Sequence, residues 1–426
     1  MRSTTTFLLR VVVALMTASS AAFAQTLPAA QLPQQVTIED VLRVFAQQSA
    51  RAAADRASIA VAMADRVTAE TLPNPTVSYG GVHLFSGLST GATSQHQFGF
   101  DQPLLLFHQR QARLDAADAG VAAEEAHVAQ SLASRRLAIR GAFASLVSRQ
   151  DQLRVLQDAL TALERVQELV RGRAAAGDRS QYDVTRVTVE TESLRVQTMT
   201  AAADVDDAAG QLAVLLGFPG WRPRAVGTLD AGSTSTDAAA LWAAASQRRP
   251  SIVALRKQQD AARSGLLLAR RERLVVPVAS GGLLKTQDVA GNSFLFGLSV
   301  PLPLFDRNQG AIAKATAQMT AADLDLQASL AEAQAEVESA ADNLAKRRAA
   351  LSAFETSVGQ RAASLQQMAE DAYREGSADI LELLDANRSL REIQLTRVEQ
   401  REAVKLAEEQ VISAAALDIA EDGTVR

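Results

Sequence analysis

The sequence predicts a mainly α-helical chain with a small β part, laid out twice along its length. Three observations carry this. A junction recurs, because Pro103, Leu104, Leu106, Phe107 and Gln111 of "PLLLFHQRQ" match Pro301, Leu302, Leu304, Phe305 and Gln309 of "PLPLFDRNQ" about 198 residues on. Such an internal period speaks directly to architecture. Two long stretches, between Pro103 and Pro219 and after Pro303, contain no proline, the residue that a helix interior excludes. Two short segments alternate apolar and polar residues with the period of a strand.

Taken in order, Arg2 and Arg10 flank an apolar run from Phe7 to Met16, followed by small residues at Ala22 and Ala24. This predicts a secretory signal over 1–24, removed before Gln25, because a membrane span needs roughly 20 apolar residues. A first repeat, 25–220, opens with a helical pattern from about 37 to 70. A hairpin follows, "TVSYGGVHLF" and the alternation around Phe98 and Phe100, with its turn near Thr90. From about 106 to 175, Leu132, Ile139, Leu146, Leu153 and Leu160 recur every seven residues, which is a coiled-coil seam. A helix of that length would run roughly 105 Å. Gly177 breaks it, and a return helix is expected over about 180–216.

Pro219, Pro223 and the "STSTD" stretch near Ser233 mark a non-helical connecting segment, 221–249. A second repeat, 250–417, then keeps the same order. It has a helix over about 250–272, a hairpin of "VVPVASGGLLK" and the Phe294, Phe296, Leu298, Val300 alternation, and a turn near Ala290. Its long helix, about 308–374, carries Leu330, Val337, Leu344, Leu351, Val358 and Leu365 at seven-residue spacing. Gly376 and a return helix over about 379–417 follow, then a tail, 418–426. In each repeat the first and the return helix are expected to stack end to end along the long one.

Composition narrows function by exclusion. A net charge of -5 without a lysine or arginine block lacks the footprint of a nucleic-acid binder. There is no cysteine, hence no disulfide framework, thiolate site or cysteine nucleophile. His83, His96, His108 and His127 have no metal-site spacing and read as structural or barrel-surface residues. No nucleophile-base set and no phosphate-binding glycine loop is present, so no enzyme and no cofactor is expected.

The strands admit two readings. Alternating aromatic and small or polar residues fit a barrel wall between lipid and water; a small soluble sheet capping a coiled coil is the alternative. Four strands cannot close a barrel, so a membrane role requires several chains to share one.

"PLPLFDRNQG", the duplicated junction and "YREGSADILELLDANRSL" together resemble the TolC family of outer-membrane efflux ducts, with "TLPNP" and "LLGFPGW" matching that family's element boundaries. The resemblance covers nearly the whole mature chain. It implies a homotrimer with a long coiled-coil α-helical barrel in the periplasm and a shared twelve-stranded transmembrane β-barrel. The partners implied are a periplasmic membrane-fusion adaptor, an inner-membrane RND-type pump and outer-membrane lipid. The junction wording is closest to the branch serving heavy-metal pumps; a multidrug or secretion duct, or an envelope coiled-coil spacer, is the alternative.

The same resemblance assigns roles. Glu382 and Asp385 would form acidic rings at a periplasmic gate, a spacing that puts both on one helix face. Tyr373 would help lock the hairpin, although Ala378 stands where a lock arginine is often found. The hairpin tips, Gly177, Asp178, Arg179, Asp183 and Arg186 with Gly376 and Ser377, would dock the adaptor. Pro103, Phe107, Pro301, Pro303 and Phe305 would turn each strand into its tunnel helix.

Overall fold

What interrupts a helix sets its length in this chain. The computed structural model describes residues 32–87, 94–177, 180–230, 232–286 and 291–418. The predicted signal, the turn centres near Thr90 and Ala290, Asp178, Arg179 and the tail beyond 418 lie outside the described residues. Where proline and glycine are spaced far apart, the helices are long. Strand β1 (Gln35–Val36) leads into α1 (Ile38–Gln48) and α2 (Ala50–Glu70), then β2 (Thr76–His83) and β3 (Ser94–Pro103). Helix α3 (Gln109–Ala175) is 67 residues long, about 100 Å, and α4 (Gln181–Leu216) returns beside it.

After β4 (Arg224–Ala225), helices α5 (Ala238–Arg248) and α6 (Pro250–Glu272) precede β5 (Val278–Thr286) and β6 (Gly291–Ser299). The second long helix comes in three parts: α7 (Gln309–Phe354), a π turn over Glu355–Gly359, and α8 (Gln360–Glu375). Helix α9 (Ile380–Ala414) is the last described helix.

Three expectations need correction. The pattern over 37–70 is two helices, because Ser49 adopts an extended backbone between them. The connecting segment 221–249 is not free of helix: α5 occupies its end, capped by Asp237 through the Ala239 and Ala240 N–H groups. It stops at Arg249, where the following proline disfavours helical backbone. Both breaks are stapled alike, by Arg56 donating to the Ala46 carbonyl and Arg256 to the Ser246 carbonyl, each at 2.9 Å. Finally, the helix expected over 308–374 is not continuous α.

The π turn has a consequence for register. Upstream, Val337 and Leu344 are buried on the seven-residue stripe. Downstream, Leu365, which continues that count, is 48% exposed, whereas Tyr373, one residue off the count, is 0% exposed. One extra residue per π turn rotates the helix and moves the buried stripe by one position.

End-to-end stacking holds. On α3, Arg135 meets Asp55 of α2 at 2.6 Å, while further along Glu164 meets Arg195 and Gln167 meets Thr188 of α4 at 2.8 and 2.9 Å. Along the second long run, Gln259 of α6 bonds Asp323 at 2.6 Å, and Glu408 and Arg397 of α9 meet Arg348 and Glu355. Laterally the order is α2 with α4, then α3, then α6 with α9, then α7 with α8. Ile139, Leu146, Leu156, Leu163 and Val170 fill the seam of α3.

Midway along the bundle, β1 and β4 pair in parallel, and the Gln150 side chain holds both the N–H and the C=O of Ala225 at 2.9 Å. Nearby, the buried Glu408 accepts from Gly232 N–H, Thr234 hydroxyl, Lys405 and Arg348. Burial alone would raise its pKa; the Gly232, Thr234 and Lys405 donors outweigh it and leave the carboxyl below its ordinary range. The clasp ties the loop before α5 to α7 and α9.

β2, β3, β5 and β6 form one antiparallel sheet in that order. Register sorts its two faces. Val77, Tyr79, Phe98, Phe100, Leu283, Phe294, Phe296 and Leu298 share one, all exposed, with Phe296 at 87%. Thr76, Ser78, Gln97, Asp101, Ser280 and Ser293 share the other, mostly polar face with Val82, Leu284 and Leu295. On that polar face Gly99 opposes Gly282, where a Cβ would lie 2.5 Å from the Phe98 carbonyl oxygen, so only glycine fits.

Candidate functional site

The two helical hairpins end at the same level, and each turn is built from local chemistry. Gly177 and Gly376 take left-handed backbone, with φ of 83° and 80°, the conformation that lets a helix stop and reverse. Ser180 and Asp183 then form a reciprocal capping box, Asp183 N–H to Ser180 Oγ at 3.2 Å and Ser180 N–H to Asp183 Oδ2 at 3.3 Å. Asp183 is thus occupied as a cap, while Arg186 lies 3.4 Å from the Tyr182 hydroxyl on the exposed surface. In the second turn, Ser377 donates both N–H and hydroxyl to the Ala372 carbonyl. Asp379 caps α9 through Glu382 N–H at 2.9 Å.

Tyr373 sits inside, not on the surface. Its side chain is sealed in a cluster with Leu163, Val166, Val170, Val187, Ile380, Leu383 and Leu384, so both hairpins share one core at their ends. Arg173, in the last turn of α3, donates to the carbonyls of Tyr373 and Arg374 at 3.0 and 2.6 Å and lies 5.5 Å from the tyrosine ring centroid. The cation faces the carbonyl end of α8, where the helix dipole favours positive charge. Ala378 is buried and donates its N–H to the Ala372 carbonyl.

A second tie joins the hairpins further up. Arg388 of α9 grips Glu190 of α4 with Nε at 2.8 Å and a second nitrogen on the other oxygen, and Arg391 approaches at 3.9 Å. The Arg388 hydrogen bond holds the Glu190 carboxyl below its usual range, against partial burial that pushes it up. Arg173, Glu190, Arg388 and Arg391 all escape the sequence reading. Each finds its partner about 200 residues away, where no local pattern exists. The available signal was opposite charge at the separation of the recurring junction, as with Glu190 and Arg388, 198 positions apart.

Glu382 and Asp385 are exposed on the first turns of α9, while Leu383 and Leu384 between them are buried. The carboxylates therefore point away from the shared core. The strand-to-helix junctions lie at the opposite end. Pro103 is the last residue of β3, whereas Pro301 and Pro303 follow β6 in an irregular segment that leaves Phe305 92% exposed. Each long helix starts from a left-handed residue, His108 or Asn308, and the next glutamine folds back. Gln109 accepts from Phe107 N–H at 2.8 Å, and Gln309 from Arg307 N–H at 2.7 Å. Gln109, not Gln111, is therefore the counterpart of Gln309; the segment after β6 is longer, so the 198-residue match slips here.

Among the described residues no cluster of three or more His, Asp or Glu could hold a metal ion, and no helix is long and apolar enough to cross a membrane. What the arrangement offers is a long helical layer, a two-faced sheet at one end and a pair of tied hairpin ends at the other. The family model for outer membrane efflux proteins matches residues 41–218 and 241–417. The chain belongs to the outer membrane efflux protein family. It is an outer-membrane channel that reaches into the periplasm, and not an enzyme.

The cobalt-zinc-cadmium resistance protein CzcC of Cupriavidus metallidurans is 25% identical over 289 residues, 68% of this chain and 69% of CzcC. Among solved structures, CusC superposes with a TM-score of 0.72 at 18% identity, covering 92% of this chain and 95% of CusC. VceC of Vibrio cholerae gives 0.72 at 19% identity, covering 89% and 95%. These likenesses establish the mainly helical fold with its small sheet.

Proposed function

We propose that the chain is one subunit of a homotrimeric duct, the outer-membrane component of a tripartite system that passively exports heavy-metal cations. The observation that supports the oligomer is a pair of bare flanks. β2 and β6 are free edges of a sheet whose exposed face is apolar. In lipid, unpaired edges are very costly, and about eight strands are the least that close a barrel. Three copies of this sheet give a twelve-stranded wall with its apolar face outward and its polar face lining water.

The helical layer is bare on the same flanks. Tyr182, Val189, Val196 and Met199 are exposed along α4, and Leu324, Leu365 and Met368 along α7 and α8. The next copy covers them. On this reading the chain is an internal duplication, with a first repeat over 25–220. Helix α5 corresponds to α1, so the second repeat begins near residue 238, ahead of the boundary at 250 that the sequence suggested.

Glu382 and Asp385 then form two acidic rings at the periplasmic entrance, favouring cations. The hairpin turns around Gly177 and Gly376 meet a periplasmic adaptor, which links the duct to an inner-membrane RND-type pump. Likeness to CzcC supports the metal cargo. The test is growth of a deletion strain on zinc, cobalt, cadmium, copper and a panel of unrelated drugs, with the intact gene restored as control. Sensitivity to metals that the gene reverses is expected; sensitivity to drugs alone would replace the cargo with organic compounds.

A further inference from the structure

The apolar face of the sheet ends, on its loop side, in a row of hydrogen-bonding groups. Register places Gly81, His96, Lys285 and Asn292 abreast across the four strands. One step nearer the loops, His83 Nδ1 lies 2.7 Å from Ser94 Oγ. From the row below, the Tyr79 hydroxyl reaches His96 Nδ1 at 2.9 Å and the two rings stack with a 10° interplanar angle. Gly81, beside them, leaves both groups uncovered: a Cβ there would rest in ordinary contact with the Tyr79 hydroxyl and His96 Nδ1, at 3.6 and 3.8 Å.

Lys285 is exposed and has no ion-pair partner among the described residues. No carboxylate shares this face of the described strands, since Asp101 alternates to the other. A fixed positive charge, an imidazole, an amide and a hydroxyl thus border three rows of aromatic and aliphatic side chains. Among the described residues no carboxylate meets this ammonium, so an anion at the rim of the apolar rows would find it available.

We propose that this row binds the phosphate of lipid headgroups in the outer leaflet, with the aromatic rows beneath taking the acyl chains. The proposal rests on the barrel reading above, in which the loop end, remote from the helices, faces the exterior. Charge-assisted donation from Lys285 and His96 suits phosphate oxygens. Free phosphate would gain nothing from the apolar rows.

The test uses the purified oligomer in neutral detergent, with native mass spectrometry counting bound lipid A, dephosphorylated lipid A and inorganic phosphate. Wild type should prefer the phosphorylated lipid. Lys285→Ala should weaken it by about five-fold, the loss expected for one basic residue at an anionic surface. Lys285→Arg should restore it, and His96→Gln should weaken it further. Equal binding by wild type and Lys285→Ala, or displacement of the lipid by equimolar inorganic phosphate, would overturn the inference alone. Absence of bilayer conductance by wild type would remove the barrel reading and this inference with it.

Discussion

Glu190 concentrates the tie between the hairpins in a single carboxylate. Because Arg388 lowers its pKa in the folded chain, the tie contributes fully above the unfolded glutamate value of about 4.3 and is lost as pH falls through the lower folded value. Limited proteolysis at the hairpin turns should therefore accelerate below about pH 4. At neutral pH, Arg388→Ala should accelerate it about five-fold, from ~1 kcal/mol for a pair whose arginine is about half exposed, after solvent screening. The charge-exchanged pair, Glu190→Arg with Arg388→Glu, should recover most of the protection, and cleavage rates identical to wild type in Arg388→Ala would deny the tie. At this scale the sequence was half legible. Gly177 and Gly376 announce themselves by local backbone chemistry, whereas Glu382 and Asp385 were singled out only through the family resemblance and the Ser180 cap went unread. Arg173 and Glu190 act on partners in the other hairpin, and Tyr373 is recognisable as a packing residue only once the shared core is known.

Among the elements, the π turn is the feature that sequence periodicity could not separate from a continuous helix, because Leu351, Val358 and Leu365 keep their seven-residue count straight through it. The structure abandons that count at Glu355, which is held by Arg397 and Arg401 of α9 at 3.1 and 3.2 Å. Removing the one surplus residue should leave both flanking stripes in place. Deletion of Ser357 is predicted to preserve the oligomer and its melting temperature to within a few degrees, whereas deletion of Ala340, inside regular helix, should abolish assembly. Gel mobility and thermal melting of the two proteins check this, and equal damage from both would contradict it. The long helices, hairpins and turns were legible since proline, glycine and caps set their ends. The break at Ser49 carried no such residue, and α5 was masked by the prolines and polar run before it.

At the scale of the whole molecule, the proposed trimer has its copies meet along the bare flanks. Val189 of α4 and Met368 of α8 lie at matching heights, since Gln167 bonds Thr188 and Arg173 bonds the Tyr373 carbonyl. The chain has no cysteine, so Val189→Cys with Met368→Cys introduces the only thiols. Oxidation should give a covalent ladder ending at three chains, and either change alone should give none. A ladder running past three would exclude a closed trimer. The central claim, that these subunits form a membrane duct gated by acidic rings, is tested most directly by conductance of the purified protein in planar bilayers. Wild type should conduct with preference for cations, and replacing Glu382 and Asp385 with alanine should raise conductance or weaken that preference. A protein that never conducts would contradict the duct, and unchanged conductance and selectivity in the double variant would contradict the gate.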